Sequence, residues 1–248
     1  LPIVERLLLE CSNLKKAGAE YMAQQNGLLS IAATHSQARY ALPTAVQEFR
    51  SQFPNVKLHL HQGSPKQVAE MLLSGEVDVA IATEALSDYP DLVTLPCYRW
   101  THAVIVPPGH TLLDMPLTLQ SLTQFPLITY DTGFTGRTHI DQAFAQHQLA
   151  PNIVLTAMDA DVIKTYVELG MGVGIVAPIA FEAERDTALR ALDAGALFGI
   201  NLTRLAVRRG SYLRSYVYAF IESFAPMLNR TRVEKSLNDG PSDVHHDI

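Results

Sequence analysis

From residue 28 onward, short apolar segments alternate with longer amphipathic ones, and this alternation restricts the possible folds more than any other feature of the sequence. Ser64 is the expected N-cap of the second amphipathic segment, because Pro65 follows at the first helical position. The first five predicted elements are strand Leu28–Ala33, helix Tyr40–Phe53, strand Val56–His61, a helix from Pro65 to near Gly75, and strand Val77–Ala82. This series predicts an α/β fold with a mostly parallel sheet and helices on both faces.

A second series of the same kind begins at Tyr98. Its predicted elements are strands Ala103–Val106, Pro126–Tyr130, Ile153–Ala157, Gly174–Ala177 and Leu202–Arg208, with helices Arg137–His147, Asp161–Leu169 and Ser211–Phe224. A chain of 248 residues, 48% of them hydrophobic, is long enough for two lobes rather than one. We therefore expect lobe I at residues 28–97 and 207–228 and lobe II at 98–206, with a small-ligand cleft between them. Residues 229–248 are expected to form a polar tail, and no function is assigned to His245 and His246 in it.

The first residues predict a separate helix over positions 2 to 24. Its apolar residues are spaced by three and four, which is the pattern of a coiled-coil seam. This apolar seam consists of Val4, Leu7, Cys11, Leu14, Gly18 and Tyr21. Gly27 is expected to follow the helix end as a C′ residue. Two interpretations stay open for residues 1–27: a surface helix packed on its own domain, or a linker and dimerisation helix that pairs with a second copy.

Polar side chains follow three of the predicted strands at the point where each strand ends. Thr34, Ser36 and Gln37 follow the first strand, Thr83 ends the third, and Thr135 precedes a helix of lobe II. The first N–H groups of a helix lack partners within it and carry partial positive charge, so hydroxyls and an amide placed there can bind a small anion or carboxylate. Helix capping is the alternative for each hydroxyl.

Other polar residues in these segments have simpler interpretations. Thr138, with Asp141 three residues later, fits a capping box. His35 is expected to be structural or solvent-facing, because the sequence has no nucleophile elbow and no partner acid for it. His59 and His61 share one strand face, but a third metal ligand is not predicted nearby.

Composition and motif content argue against several classes of function. A net charge of −6 is poorly suited to nucleic-acid binding by this chain alone. The longest apolar stretch, VGIVAPIAF, is too short to span a bilayer. We find no G-x-G-x-x-G, P-loop or C-x-x-C motif, and therefore expect no cofactor, no metal and no enzymatic activity. Cys11 and Cys97 lie in different predicted elements, so free thiols and a cytoplasmic location are expected.

Several short motifs resemble those of a known family. The segments THSQAR, ATEAL, PCYRW and GFTGR occur in this order and are followed by GMGVGIVAP. As a set they resemble the effector-binding domain of LysR-type transcriptional regulators over residues 28 to 225. The combination narrows the resemblance to the CysB-like branch, which activates cysteine biosynthesis and sulfur assimilation. The resemblance implies a two-lobed fold like that of type II periplasmic binding proteins, preceded by a linker helix.

The resemblance also implies a ligand and a set of residues that bind it. The expected effectors are N-acetylserine or O-acetylserine, with sulfate or thiosulfate in or near the same cleft. Ser36 stands where some family members have threonine, and it keeps the hydroxyl. Trp100, the only tryptophan, would otherwise be expected in a core or an interface. The residues implied to bind ligand are Thr34, Ser36, Gln37, Thr83, Trp100 and Thr135.

The expected partners follow from the same resemblance. Family members carry an N-terminal winged helix-turn-helix domain before the linker helix, whereas this sequence begins inside the predicted linker helix. DNA contact is therefore expected only through such a domain, and the chain itself is expected to form a homodimer or homotetramer without contact to a membrane. The alternative to a regulator is a solute-binding protein for a small anion, which would need an export signal that the sequence does not show.

Overall fold

The structure is a computed structural model that describes residues 2–22 and 26–238. The chain divides into two compact units. The first unit contains the residues up to Cys97 and those from Thr203 onward, and the second unit spans Tyr98–Leu202. The sequence analysis placed the second boundary between residues 206 and 207, whereas the structure places it between Leu202 and Thr203.

The first unit contains a five-stranded sheet with helices packed against it. Strand order is β2-β1-β3-β10-β4. β1 is parallel to β2 and to β3, as the sequence predicts, whereas β10 is antiparallel to β3. The elements of this unit are α1 (Pro2–Met22), β1 (Gly27–Ala33), α2 (Leu42–Gln52), β2 (Val56–Gln62), α3 (Pro65–Ser74), β3 (Val79–Thr83), β4 (Leu92–Trp100, which ends beyond the boundary), β10 (Asn201–Arg208, which begins before it), α8 (Ser215–Phe224) and α9 (Arg230–Asn238).

The second unit repeats this architecture with a mixed sheet of its own. Strand order is β7-β6-β8-β5-β9, in which β6 is parallel to both neighbours and β5 is antiparallel to both. Its elements are β5 (Ala103–Val106), α4 (Leu119–Leu122), β6 (Leu127–Tyr130), α5 (Thr135–Gln146), β7 (Ile153–Ala157), α6 (Ala160–Glu168), β8 (Val173–Val176), β9 (Arg190–Asp193) and α7 (Gly195–Phe198).

Each unit has its own apolar core. In the first unit, Phe49 of α2 and Phe220 of α8 are wholly buried and pack edge to face with ring centroids 5.8 Å apart. In the second unit, Phe144 of α5 packs against Phe198 of α7 at 6.1 Å, beneath the buried side chains of β5, β6 and β8. The strands β1, β3, β5, β6 and β8 are buried along nearly their whole length, which is typical of sheets covered on both faces, whereas the edge strands β2, β7 and β9 are largely or half exposed. The continuous apolar character of the buried strands is what made most of them recognisable in the sequence.

Several boundaries differ from the prediction. β4 was not predicted, and neither was α9, which occupies the start of the predicted polar tail and buries Val233. Gly27 begins β1 rather than following a helix. A Cβ at Gly27 would lie 2.8 Å from the Tyr216 Oη, so close packing explains this glycine. Residues 23–25 and the tail from residue 239, with His245 and His246, lie outside the described residues.

Helix α3 begins and ends as the sequence predicts. Ser64 accepts a hydrogen bond from the Gln67 backbone N–H, and the Gln67 side chain accepts one from the Ser64 N–H, which completes a capping box. Gly75 ends the helix in the left-handed conformation, with φ of 80°. By contrast, the capping box predicted at Thr138 and Asp141 is wrong, because α5 begins at Thr135 and Asp141 instead pairs with Arg137 at 2.8 Å.

The Ser64 cap should contribute measurably to stability. We expect Ser64→Ala to lower the free energy of unfolding of the first unit by about 1 kcal/mol, because the Gln67 backbone N–H loses its partner. Chemical denaturation would measure the change. Ser51→Ala is the control, because its exposed hydroxyl binds only the Glu48 carbonyl on the same helix, and it should change the value by less than about 0.5 kcal/mol. Equal losses in the two variants would contradict the cap assignment.

Helix α1 docks onto the first unit through one face. Asn13 donates to the Gly210 carbonyl at 2.8 Å and accepts from the Tyr212 N–H at 2.9 Å, while the Lys16 Nζ lies 2.7 Å from an Asp78 carboxylate oxygen. At 3.6 residues per turn, the apolar seam falls on the opposite face. Leu7 and Leu14 of the seam are 60% and 73% exposed, and the Tyr21 side chain lies outside the described ones. Thus α1 packs on its own unit without using the described part of its seam.

Candidate functional site

The carboxyl ends of β1 and β3 bring two of the predicted site residues together. Thr34 follows β1 directly, and its backbone N–H donates to the Ile81 carbonyl of the adjacent strand β3 at 3.2 Å. Thr83 is the last residue of β3. Both threonines are buried. The carboxyl end of a parallel sheet, where strands lead into helices, is the usual place for ligands in α/β proteins.

Gln37 joins this group from the turn that follows β1. It begins a π-helical turn, Gln37–Ala41, that precedes α2 and was not predicted. Its side chain is buried, and Nε2 donates to the Thr203 hydroxyl of β10 at 3.3 Å. Thr203 in turn lies opposite Thr83 in the β3–β10 pairing. We call Thr34, Gln37, Thr83 and Thr203 the first polar cluster; all four side chains are uncharged.

The capping alternative fails for two of the hydroxyl residues in this region. Ser36 and Thr83 stand at N-cap positions, yet neither side chain makes a capping hydrogen bond. Ser36 is partly exposed beside the buried cluster. His35 is also partly buried, and its Nδ1 has no hydrogen-bond partner. Several polar groups therefore gather at these strand ends without serving to begin a helix.

The second unit holds the other two predicted residues. Thr135 is the first residue of α5 and does not cap it, since Phe134 holds the N-cap position. Gly136 follows, and a Cβ there would lie 3.3 Å from Cη2 of Trp100, 3.1 Å from Nε2 of His102 and 3.8 Å from Oδ1 of Asn201. We call Trp100, His102 and Asn201 the second polar cluster. It surrounds the first turn of α5.

Burial controls the charge of His102. The ring is wholly buried between Trp100 and Phe198, with centroids 5.3 Å and 5.4 Å away. Desolvation, with a further contribution from His139, lowers the pKa of His102 to about 4, and a backbone hydrogen bond at Gly136 opposes this shift only in part. The imidazole is therefore neutral at pH 7. Because its folded pKa lies below the ordinary value of 6.5, it favours the folded state above pH 6.5 and loses that contribution as the pH falls towards 4.

Sequence analysis missed three polar residues of these clusters: His102, Asn201 and Thr203. His102 follows Trp100 by two residues, and Asn201 and Thr203 alternate along β10. A period of two on a strand places side chains on one face. The two polar residues at this spacing, ahead of the apolar run LAV of the same strand, were the sequence feature that could have identified Asn201 and Thr203 as candidate site residues.

The described part of the chain offers little for metal or membrane chemistry, and of its two free cysteines, Cys11 is exposed and Cys97 is buried. Within residues 2–22 and 26–238, no three His, Cys, Asp or Glu side chains are grouped closely enough to hold a metal ion. No helix among those residues is both long and apolar enough to cross a membrane. Burial raises the pKa of the Cys97 thiol to about 12, so it stays protonated at neutral pH. The polar clusters are suited to binding rather than to covalent catalysis.

Comparison with known proteins identifies the family to which the chain belongs. Residues 23–228 match the LysR substrate binding domain. The chain belongs to the LysR family. The LysR-family protein "HTH-type transcriptional regulator CysB" of Burkholderia cenocepacia is 57% identical over 238 residues, which cover 96% of this chain and 76% of the relative. "HTH-type transcriptional regulator SsuR" of the same organism is 52% identical over 96% of this chain and 77% of its own length.

A solved structure shows the same fold. The cofactor-binding domain of the Cbl transcriptional regulator is 44% identical, with a TM-score of 0.82, and the match covers 88% of this chain and 95% of that domain. This LysR chain therefore has the α/β, periplasmic-binding-protein-like fold of LysR effector-binding domains, as the sequence analysis predicted. Its relatives are transcriptional regulators and not enzymes.

Proposed function

We propose that this chain is the effector-binding part of a LysR-type regulator of sulfur assimilation and cysteine biosynthesis. The observation that carries the proposal is the first polar cluster. It gathers two buried threonines, a buried glutamine and a third hydroxyl at the carboxyl ends of β1 and β3. The THSQAR and ATEAL motifs, on which the resemblance to the CysB-like branch rests, supply three of these four residues.

The chemistry of the cluster favours a small ligand rich in hydrogen-bond acceptors. Hydroxyls and the Gln37 amide can each donate to an oxyanion, and none of the four side chains carries a charge that would have to be matched. Ser36 adds a further hydroxyl at the partly exposed side. Sulfate, thiosulfate and the carboxylate of N-acetylserine or O-acetylserine all fit this description. Trp100 and Thr135 are proposed as further ligand residues in the second unit.

The relatives favour a regulator over the alternative of a solute-binding protein. A regulator has to combine ligand binding with assembly and DNA binding. We propose that the chain assembles as a homodimer or homotetramer and acts in the cytoplasm. DNA would be contacted through a helix-turn-helix domain of the kind that the names of the relatives indicate.

Calorimetric titration tests the proposed function directly. The purified chain would be titrated separately with N-acetylserine, O-acetylserine, sulfate and thiosulfate. We expect saturable binding of at least one acetylserine and one sulfur oxyanion. If none of the four binds at millimolar concentration, the proposed effector class is wrong.

Removal of one donor from the first polar cluster provides a sharper test. We expect Thr34→Ala to weaken binding of sulfate or acetylserine by about 1.5–3 kcal/mol, the usual contribution of a hydrogen bond to a charged group. Thr44→Ala, which removes an exposed hydroxyl from α2 of the same unit, is the matched control and should bind as the wild type does. Unchanged affinity in Thr34→Ala would remove Thr34 from the site.

A further inference from the structure

The second polar cluster contains an unusual concentration of unpaired buried atoms. Trp100 Nε1, both amide atoms of Asn201 and at least one ring nitrogen of His102 are buried without a hydrogen-bond partner, while the Gly136 backbone lies within reach of the other ring nitrogen. His102 and Asn201 are 0% exposed. Nearly all buried polar groups in folded proteins are hydrogen-bonded, so at least four unpaired atoms on three neighbouring side chains call for a specific explanation.

Two of these atoms must be hydrogen-bond acceptors, however the side chains are oriented. A neutral imidazole always has one nitrogen without a proton, whichever tautomer is present, and an asparagine amide always has one oxygen. The cluster also offers donors from the indole N–H and the amide NH₂. A fully deprotonated oxyanion such as sulfate has no donor, so it would leave both acceptors unpaired.

The second polar cluster lies beside two of the proposed ligand residues. Its three side chains surround Gly136 in the first turn of α5, a helix of twelve residues whose first residue is Thr135. Trp100 belongs to the cluster, and both Trp100 and Thr135 are already proposed ligand residues. Trp100 packs directly against His102 and is itself only partly buried. A ligand group that contacts Trp100 would therefore lie next to His102.

We propose that His102 and Asn201 are specificity residues that recognise an N–H or O–H donor on the effector, and so select a hydroxylated or amide-containing ligand over a bare sulfur oxyanion. This inference rests on the proposed function, because it assigns a role in effector binding to the second unit. A site built to hydrogen-bond a donor discriminates strongly against ligands that lack one, because its buried acceptors then stay unpaired. This selectivity requires acceptors that no group of the protein itself satisfies.

The test compares N-acetylserine with sulfate in the whole chain and in two variants. Asn201→Leu removes one acceptor, and His102→Phe removes the other while keeping an aromatic ring between Trp100 and Phe198. In each variant we expect the ratio of N-acetylserine affinity to sulfate affinity, measured by calorimetry, to fall about tenfold. The emission of Trp100, the sole tryptophan, should respond more to N-acetylserine than to sulfate in the wild type, and this difference should shrink in the variants.

Stability of the ligand-free protein separates a binding role from a structural one. Thr129→Val is the control, because Thr129 is equally buried in the second unit but its hydroxyl already donates to the Ile175 carbonyl at 2.9 Å. Thr129→Val should lower the unfolding temperature, whereas Asn201→Leu should not, since its amide has no partner to lose. The inference would be overturned if Asn201→Leu were as destabilised as the control. It would also be overturned if the affinities for N-acetylserine and for sulfate changed in proportion, or not at all, in the variants. Either result would leave the proposed function standing. Absence of binding by the wild type would overturn both.

Discussion

Replacement of Lys164 by alanine is expected to lower the free energy of unfolding of the second unit by about 3–5 kcal/mol. Lys164, on α6, is buried, and its ammonium lies 2.8 Å from Asp161 and 3.0 Å from Asp186. The Asp186 side chain is only 12% exposed and also accepts from the Glu182 backbone N–H at 2.8 Å. Without the lysine, this nearly buried carboxylate would lose its cation, and breaking a buried ion pair by removing one partner is the costly outcome.

Chemical denaturation of Lys164→Ala and of a surface control would measure the effect. Lys66→Ala is suitable, because Lys66 and Glu70 form a longer ion pair of 3.9 Å with side chains 77% and 57% exposed. An exposed pair of this kind contributes little, so the control should lose less than about 0.5 kcal/mol. If both substitutions lowered the free energy of unfolding by the same small amount, the ion pairs of Lys164 would not be what holds the segment after β8 to α6.

The central strands were recognisable in the sequence because burial on both faces requires unbroken apolar runs, and the edge strand Ile153–Ala157, although half exposed, is apolar apart from Thr156. Ala103–Val106 and Ile153–Ala157 were predicted with the boundaries that the structure has. The ends of α3 were equally clear, because Ser64, Pro65 and Gly75 each have a local conformational preference that depends on no distant contact. Features that depend on local stereochemistry or on simple periodicity can be predicted in this way.

Several elements were not predicted, among them β9, α7 and the π-helical turn, and for two others, β4 and α9, the reason is identifiable. β4 contains Pro96, which is unfavourable inside a sheet, but β4 is an edge strand and tolerates a residue without an N–H. The sequence does not reveal which strand will lie at an edge. α9, with the sequence RTRVEKSLN, is strongly polar and buries only Val233, so its amphipathic pattern is too weak to distinguish from a solvated tail.

Only the site residues that lie within the recognised motifs could be predicted from the sequence. Thr34, Gln37 and Thr83 stand at strand ends that periodicity locates, and the structure places them near one another. Thr203 joins them through a hydrogen bond with Gln37 that spans 166 positions of the chain. His102 and Asn201 are likewise brought together by strands and a helix that are distant in sequence. Contacts of this kind depend on the completed fold, and no local pattern encodes them.

The two interpretations of α1 in the sequence analysis turn out to be compatible. Asn13 and Lys16 hold the helix on its own unit through one face, which corresponds to the surface-helix interpretation. The apolar seam lies on the opposite face with Leu7 and Leu14 mostly exposed, which leaves it available for pairing with a second copy. LysR regulators assemble as oligomers, and the exposed leucines give a physical reason for this chain to do so through α1.

A charged double substitution in the apolar seam should therefore weaken assembly strongly. We expect Leu7→Asp combined with Leu14→Asp to raise the dissociation constant for pairing through α1 at least about 100-fold, since each buried leucine contributes about 1.5–3 kcal/mol and each carboxylate adds a desolvation cost. Sedimentation velocity at micromolar concentration would measure it.

The wild type should sediment as a dimer or a larger species, and the double variant should lose one association step. Pairing between the rest of the two chains is expected to persist, so deletion of residues 1–26 should still leave a dimer. Ser12→Asp adds a charge to an exposed position of α1 outside the seam, and it should sediment as the wild type does. A monomeric wild type, or a double variant that assembles as the Ser12→Asp control does, would exclude the seam as an interface. Far-ultraviolet circular dichroism would confirm that the variants keep their helices, so that a lost association step reports on the leucines and not on unfolding of α1.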